Sequence, residues 1–279
     1  QGPVIKTMVR FAIPMILGDL LQQCYNIADT LIVGQVLGAE ALAAVGSSYA
    51  LIVFITSIFI GLCMGCSAVL SMQYGAKDIR QMKQSIFSSL LIVGGTTLLL
   101  NILSLAFLSP IIKILQTPPE LEAITYRYLF LIFLGMIPMA VYNFYAFLLR
   151  SVGNSSSPLY FLLVSVALNI ALDVLFMVGL KMGVEGAALA TVISQIVSAA
   201  GIYLYTWKQF PELRLSSDDR QISFSAIRKI ASFSYLTCMQ QSVMNLGILM
   251  VQGLVNSFGT TVMAAFAAAV KIDSFAYMP

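Results

Sequence analysis

The chain has 279 residues, of which 59% are hydrophobic and 10% charged, with a mean hydropathy of +0.92. Soluble domains carry roughly 25% charged residues, so the composition excludes an ordinary water-soluble fold. A net charge of +3 offers no basic surface for nucleic acid, and the lack of any histidine removes His-based catalytic triads and the commonest metal ligand. Apolar runs of about 20 residues or more, without strict alternation, predict membrane-crossing helices rather than barrel strands. In chain order, the first span is expected over 11–36, and a short "LGAE" turn leads to the second over 42–74. The charged "YGAKDIRQMKQ" connects to span 3 at 85–108, and the partly amphipathic loop "SPIIKILQTPPELEA" to span 4 at 124–149. "RSVGNSSSP" turns the chain, with Pro158 as the opening residue of span 5 at 159–179. "KMGVEG" leads to span 6 at 186–207, and the longest polar linker covers 208–229. Span 7 is expected over 230–257, and span 8 starts near 261 and is still running at Pro279. The first apolar run is too long for a cleavable signal peptide.

Orientation follows from Lys and Arg, which favour the cytoplasmic side. With the N-terminus inside, Lys6, Arg10, Lys77, Arg80, Lys83, Arg150, Lys208, Arg214, Arg220, Arg228 and Lys229 are cytoplasmic, against Lys113, Arg127 and Lys181 outside and Lys271 within span 8. A shift of 221 residues places Gly38, Ala43, Ala44 and Phe54 on Gly259, Ala264, Ala265 and Phe275. Spans 1–2 and 7–8 thus share one layout: a long helix, a Gly turn and a small-residue helix. The expected architecture is an all-α polytopic membrane protein. A six-helix lobe (1–207) is followed by a cytoplasmic linker (208–229) and an incomplete second lobe (230–279), parallel repeats of this kind being usual in transporters.

Polar residues inside the spans point to function. Asp19, Gln22, Asn26 and Asp29 are spaced 3, 4 and 3 along span 1 and line one helix face. Such a face must look into a bundle or a cavity. Pro14, one turn earlier, removes a backbone hydrogen bond and permits a hinge. Asn169 and Asp173 are four apart in "LNIALDVLF" and share a face of span 5. Counting from the middle of each span at 1.5 Å per residue, Asp29, Asp173 and Thr191 fall at one level of the outer half, with Asn169 just below. An acid within a span costs at least about 2.5–3.5 kcal/mol on insertion scales, and no Lys or Arg of spans 1, 5 or 6 lies at that depth. Two facing carboxylates resist double ionisation, which describes a site that takes up a proton or another small cation. The four cysteines, Cys24, Cys63, Cys66 and Cys238, all sit in apolar runs. The "CMGC" at 63–66 is read as packing rather than a redox or zinc motif, because no second ligand pair exists. The overlapping "GLCMG" at 61–65 is a small-residue helix-contact motif. The aromatics of span 4 and the 14 Met residues are read chiefly as packing, with an adaptable apolar cavity as the alternative.

Five stretches resemble a known family: "FAIPMILGDLLQQCYNIADTLIVGQVLG", "QYGAKD", "LLRSVGNSSSP", "LNIALDVLF" and "GVEGAALATVISQ" are similar, in the same order, to the multidrug and toxic compound extrusion (MATE) transporters. The resemblance implies two six-helix lobes around a central cavity in the inner membrane of a prokaryote. It implies export of organic, cationic or amphipathic compounds by antiport against protons or sodium, with no other cofactor and no obligate protein partner, the full-length protein being a monomer. It implies a cation site of Asp29, Asn169, Asp173 and Thr191, and Asn143 as the counterpart of a fourth-helix Asn, although the span boundaries put Asn143 in the inner half. Gln22 and Asn26 would support that network. Branches of the family that couple through the second lobe carry a Glu in helix 7; here that region reads "CMQQSVMNLG", with Gln241 and Asn245 but no acid. The family has twelve helices, so a chain ending in the eighth is read as a fragment or as the ordered part of something longer. Alternatives are a lipid-linked saccharide flippase of related architecture, disfavoured by an acidic interior, and a seven-helix receptor, disfavoured by the inward N-terminus. An intramembrane aspartyl protease lacks any supporting motif, so no enzyme is expected.

Overall fold

The computed structural model describes residues 4–216, 219 and 224–276, with side chains over 5–216, 219 and 224–270. Every element among them is helical. The first two helices, α1 (Val4–Leu37) and α2 (Ala39–Gly75), meet at Gly38, whose φ of 87° and ψ of −174° only glycine adopts without strain. Helix α3 (Ile79–Ala106) is capped by Asp78, whose carboxylate accepts from Gln81 N at 3.0 Å. The connection expected as a loop contains a short helix, α4 (Leu108–Ile114), before α5 (Pro119–Leu134) and α6 (Met136–Ser151).

The fourth expected span is therefore two helices, bent by 45° at Gly135. Pro138 explains the break: it has no N–H to donate to the Leu134 carbonyl. The buried Asn101 side chain of α3 donates to the Phe133 carbonyl beside the bend. Helix α7 (Ser156–Asp173) continues into a wide π turn over Val174–Gly179, with Leu180 N donating to Leu175 O at 2.9 Å. Pro158 is the third residue of α7, not the first. Helix α8 (Val184–Gln209) precedes a 3-10 turn, Pro211–Leu213, and α9 (Phe224–Asn256) and α10 (Thr260–Ala276) follow. The expected linker 208–229 thus contributes helix at both ends, and its Arg220 lies outside the described residues, as do the side chains of Lys271 and Phe275.

Among the described residues, α2, α3, α7 with its π turn, and α8 are each long and apolar enough to cross a membrane, and the bent α5–α6 pair makes a fifth. The other two long helices, α1 with 34 residues and α9 with 33, would reach about 50 Å at 1.5 Å per residue, but their polar faces lower their hydropathy. The core is built on α2, which packs against α1, α3, α5, α6, α9 and α10. The Gly61–Gly65 pair makes the closest seam. A Cβ on Gly61 would lie 2.9 Å from Cys238 Cα, and one on Gly65 would overlap Ser234. This approach lets α9 bond to α2 main chain: Thr237 Oγ1 donates to Gly61 O at 2.8 Å, and Ser234 Oγ to Leu62 O at 3.3 Å. Cys63 and Cys66 are free thiols in the buried cluster beside this seam.

Candidate functional site

A cavity of about 450 Å³ lies between α1, α2, α5, α6, α7 and α8, with Ala267 of α10 at its edge. The α1 stripe forms one wall: Asp19, Gln22, Asn26 and Asp29 all line the cavity, as the 3–4–3 spacing requires of one face. Helix α1 runs through Pro14 as a single helix. Opposite the outer end of the stripe, α7 and α8 bring up Asn169, Asp173 and Thr191. Thr191 lines the cavity; Asn169 and Asp173 sit behind its surface, 2% and 0% exposed.

These four side chains form one connected group. Asp29 and Asp173 lie within hydrogen-bonding reach of each other. With the Asn169 amide oriented so that both its ends find partners, Nδ2 donates to Asp173 Oδ2 at 2.9 Å and Oδ1 accepts from Thr191 N at 3.1 Å. The Thr191 hydroxyl donates to Ala187 O at 3.1 Å, so it accepts from the Tyr25 hydroxyl at 3.4 Å. Two carboxylates brought this close resist double ionisation, which uptake of a proton or another small cation would relieve. The group offers carboxylate, amide and hydroxyl oxygens, the ligand type that hard cations prefer. The π turn begins directly after Asp173; such turns recur at functional sites.

Of the supporting residues, Gln22 and Asn26 line the cavity, Asn26 Nδ2 donating to Gln23 Oε1 at 3.3 Å. Asn143 also lines the cavity, but its amide donates to Met139 O of its own helix at 2.9 Å. Three residues were missed in the sequence. Tyr25 and Tyr128 line the cavity with Asp29. Tyr25 lies on the stripe, three residues after Gln22 and four before Asp29, so the spacing held the signal; for Tyr128 on α5 no local pattern did. Arg150, assigned to the cytoplasmic loops, lines the same cavity from the end of α6, with its guanidinium 5.1 Å from the Phe147 ring and within electrostatic reach of Asp19.

A bundle of long apolar helices around a cavity that carries a polar stripe defines an integral membrane protein of the helical class. The MatE family model matches residues 14–175, more than half of the chain, and the chain belongs to that family of multidrug and toxic compound extrusion proteins. It is 30% identical over 279 residues to the "Probable multidrug resistance protein YpnP" of Bacillus subtilis (strain 168), covering 100% of this chain and 62% of that protein. It is 32% identical over 212 residues to the "Multidrug export protein MepA" of Staphylococcus aureus (strain NCTC 8325 / PS 47), covering 75% of this chain and 46% of MepA. Among solved structures, the MATE multidrug transporter DinF-BH, solved with a small molecule bound, superimposes with a TM-score of 0.90 at 27% identity, covering 99% of this chain and 62% of that one. The chain thus spans less than two thirds of the length of these relatives.

Proposed function

We propose that this chain supplies the first six-helix lobe, its linker and the first two helices of the second lobe of a cation-coupled antiporter that exports organic, cationic or amphipathic compounds. The protein sits in the inner membrane with its N-terminus in the cytoplasm, as the excess of Lys and Arg at that end supports. The observation that carries the reading is the Asp29–Asp173 pair at the wall of the cavity, with Asn169 bonded to Asp173 and to Thr191 N beside it. Uptake of a proton or Na⁺ by the pair changes its charge. Moving that charge across the membrane potential is worth about 2.3 kcal/mol per 100 mV, which makes it a usable drive for export. The relatives named multidrug resistance and export proteins support the same activity.

The test is flux of a cationic dye from proteoliposomes of the full-length protein under imposed proton or sodium gradients. Gradient-driven export is expected in the wild type and abolished in Asp29→Asn and in Asp173→Asn, with both variants still inserted and folded. Full-rate export by both variants would overturn the reading.

Arg150 favours a second reading, the lipid-linked saccharide flippase, because such a substrate needs a cation for its phosphate. Asp19 faces Arg150, and among the described lining residues two acids, Asp19 and Asp29, stand against this one arginine. Movement of a fluorescent lipid-linked phosphosugar that Arg150→Gln abolishes, without dye export, would favour the flippase.

A further inference from the structure

A second cleft, of about 250 Å³, lies away from the central cavity at the end of the bundle that holds the linker. Leu90 of α3, Tyr145 of α6, and Tyr203 and Trp207 of α8 form its walls, and Leu213 and Arg214 of the linker form its rim. The buried side chains of Ile86 and Leu148 floor it, so its depth is apolar. Tyr203 and Trp207 remain 39% and 49% exposed, the arrangement of aromatic residues that sit at lipid headgroup level. This end also carries the start of α1, since Ser155 Oγ donates to Phe11 O at 2.8 Å. It is therefore the Lys/Arg-rich end, which the positive-inside rule places at the cytoplasmic leaflet with its anionic lipids.

Arg214 is fixed at the rim. Its Nε donates to Trp207 O at 2.7 Å, and its guanidinium lies 5.4 Å from the Trp207 ring. Among the described residues it has no carboxylate partner: the ion pairs there are Lys83–Asp219 and Arg127–Glu185. Glu212, the nearest acid in sequence, does not line the cleft. The guanidinium of Arg214 offers a fork of donors suited to two phosphate oxygens. Lys208, in the last turn of α8, adds a second positive charge nearby.

We propose that this cleft binds an anionic phospholipid, with the phosphate on Arg214 and one acyl chain in the apolar slot beside Trp207. The lipid would tie the linker to α3, α6 and α8. Trp207 is the single tryptophan of these 279 residues, so it serves as the probe. The full-length protein is reconstituted in mixed phosphatidylcholine and phosphatidylglycerol bilayers, with one lipid or the other brominated in its acyl chains. Quenching of Trp207 is taken as the difference between the wild type and Trp207→Phe, which removes any signal from tryptophans elsewhere in the protein. Brominated phosphatidylglycerol is expected to quench at about fivefold lower mole fraction than brominated phosphatidylcholine, the factor that one basic group near an anionic surface provides. Arg214→Gln should erase that difference and leave quenching by phosphatidylcholine unchanged, which also shows that the variant is folded. Equal quenching by the two lipids in the wild type would mean that the cleft sees only bulk bilayer and would overturn the proposal. A preference that survives Arg214→Gln would overturn the assignment of the headgroup to Arg214.

Discussion

Tyr25 shows what one hydroxyl can decide. It donates to Thr191 Oγ1, whose own proton goes to Ala187 O, so the bond holds the Thr191 hydroxyl in place at the cavity wall. Tyr25→Phe should cost about 1 kcal/mol of stability, the net worth of one such hydrogen bond, read as a small loss in thermal melting. If Thr191 is a ligand, the same variant should raise the cation concentration that half-saturates dye export; an unchanged half-saturation would reduce Tyr25 to packing. The spacing of α1 made Asp19, Gln22, Asn26 and Asp29 legible, because a polar face in an apolar helix needs no neighbour to be recognised. Arg150 was harder to read: beside a loop in the sequence, it lines the cavity in a way that only the bundle's packing shows. Asp219 illustrates the exposed limit. The side-chain and backbone donors of Ser216, and then Lys83 at 3.6 Å, hold its carboxyl below the usual range. The folded value is depressed, so its contribution is present above the ordinary carboxylate value of about 3.9 and is lost as pH falls through the lower, folded one. Hydrogen exchange at Ser216 N, which donates to Asp219 Oδ2 at 2.9 Å, should therefore keep its protection from neutral pH to about pH 4 and lose it below. Asp219→Asn should lower that protection at neutral pH.

Between elements, glycine does two different jobs that the sequence alone does not separate. Gly61 and Gly65 let α9 reach the main chain of α2, whereas a Cβ on Gly94 of α3 would meet nothing within 4 Å. Gly94→Ala should be neutral or stabilise by up to about 1 kcal/mol, the helix-propensity gain. Gly65→Ala must push Ser234 away and should destabilise by about 1–3 kcal/mol. Thermal unfolding of the two variants in detergent checks the pair, and equal shifts would mean that the seam yields freely. The contact motif at 61–65 was readable because small residues four apart mark close helix approach. The bend at Gly135 was also written in the sequence, since Pro138 denies Leu134 a donor, but an unbroken apolar run masked it. The amides of α9 could not be read. Asn245, Gln252 and Asn256 are buried, and Asn256 Nδ2 donates to Leu115 O at 2.8 Å beyond α4. The Asn256 partner comes from a segment 141 residues away, which no local pattern indicates.

At the scale of the molecule, four identities at a shift of 221 residues suggest one layout for α1–α2 and α9–α10, and the two turns have similar backbone geometry. Gly38 and Gly259 have φ of 87° and 91°. The following helices open with the same bond, Leu42 N to Gly38 O at 3.2 Å and Met263 N to Gly259 O at 3.1 Å. Both turns require glycine for the same reason. The two repeats also touch: a Cβ on Gly46 of α2 would overlap Ala267 of α10, and both residues line the central cavity. This contact lies about two helical turns from the Gly38 turn, and the prediction is that it seals the cavity toward that side. A transporter that alternates its access must open such a contact in one state, because packed interfaces switch between discrete arrangements rather than stretch. Gly46→Val places a branched side chain where no room exists, at an overpacking cost of about 1–3 kcal/mol, and the cheapest relief is to part α2 from α10. With the exposed thiol of Cys24 changed to Ala and Thr30, in the cavity wall, changed to Cys, a membrane-impermeant maleimide added from the Gly38 side should label the Gly46→Val protein faster than its Gly46 parent. Labelling from the opposite side should not rise. Equal rates from the Gly38 side, in a variant that still inserts and folds, would show that the Gly46–Ala267 contact is packing and not a seal.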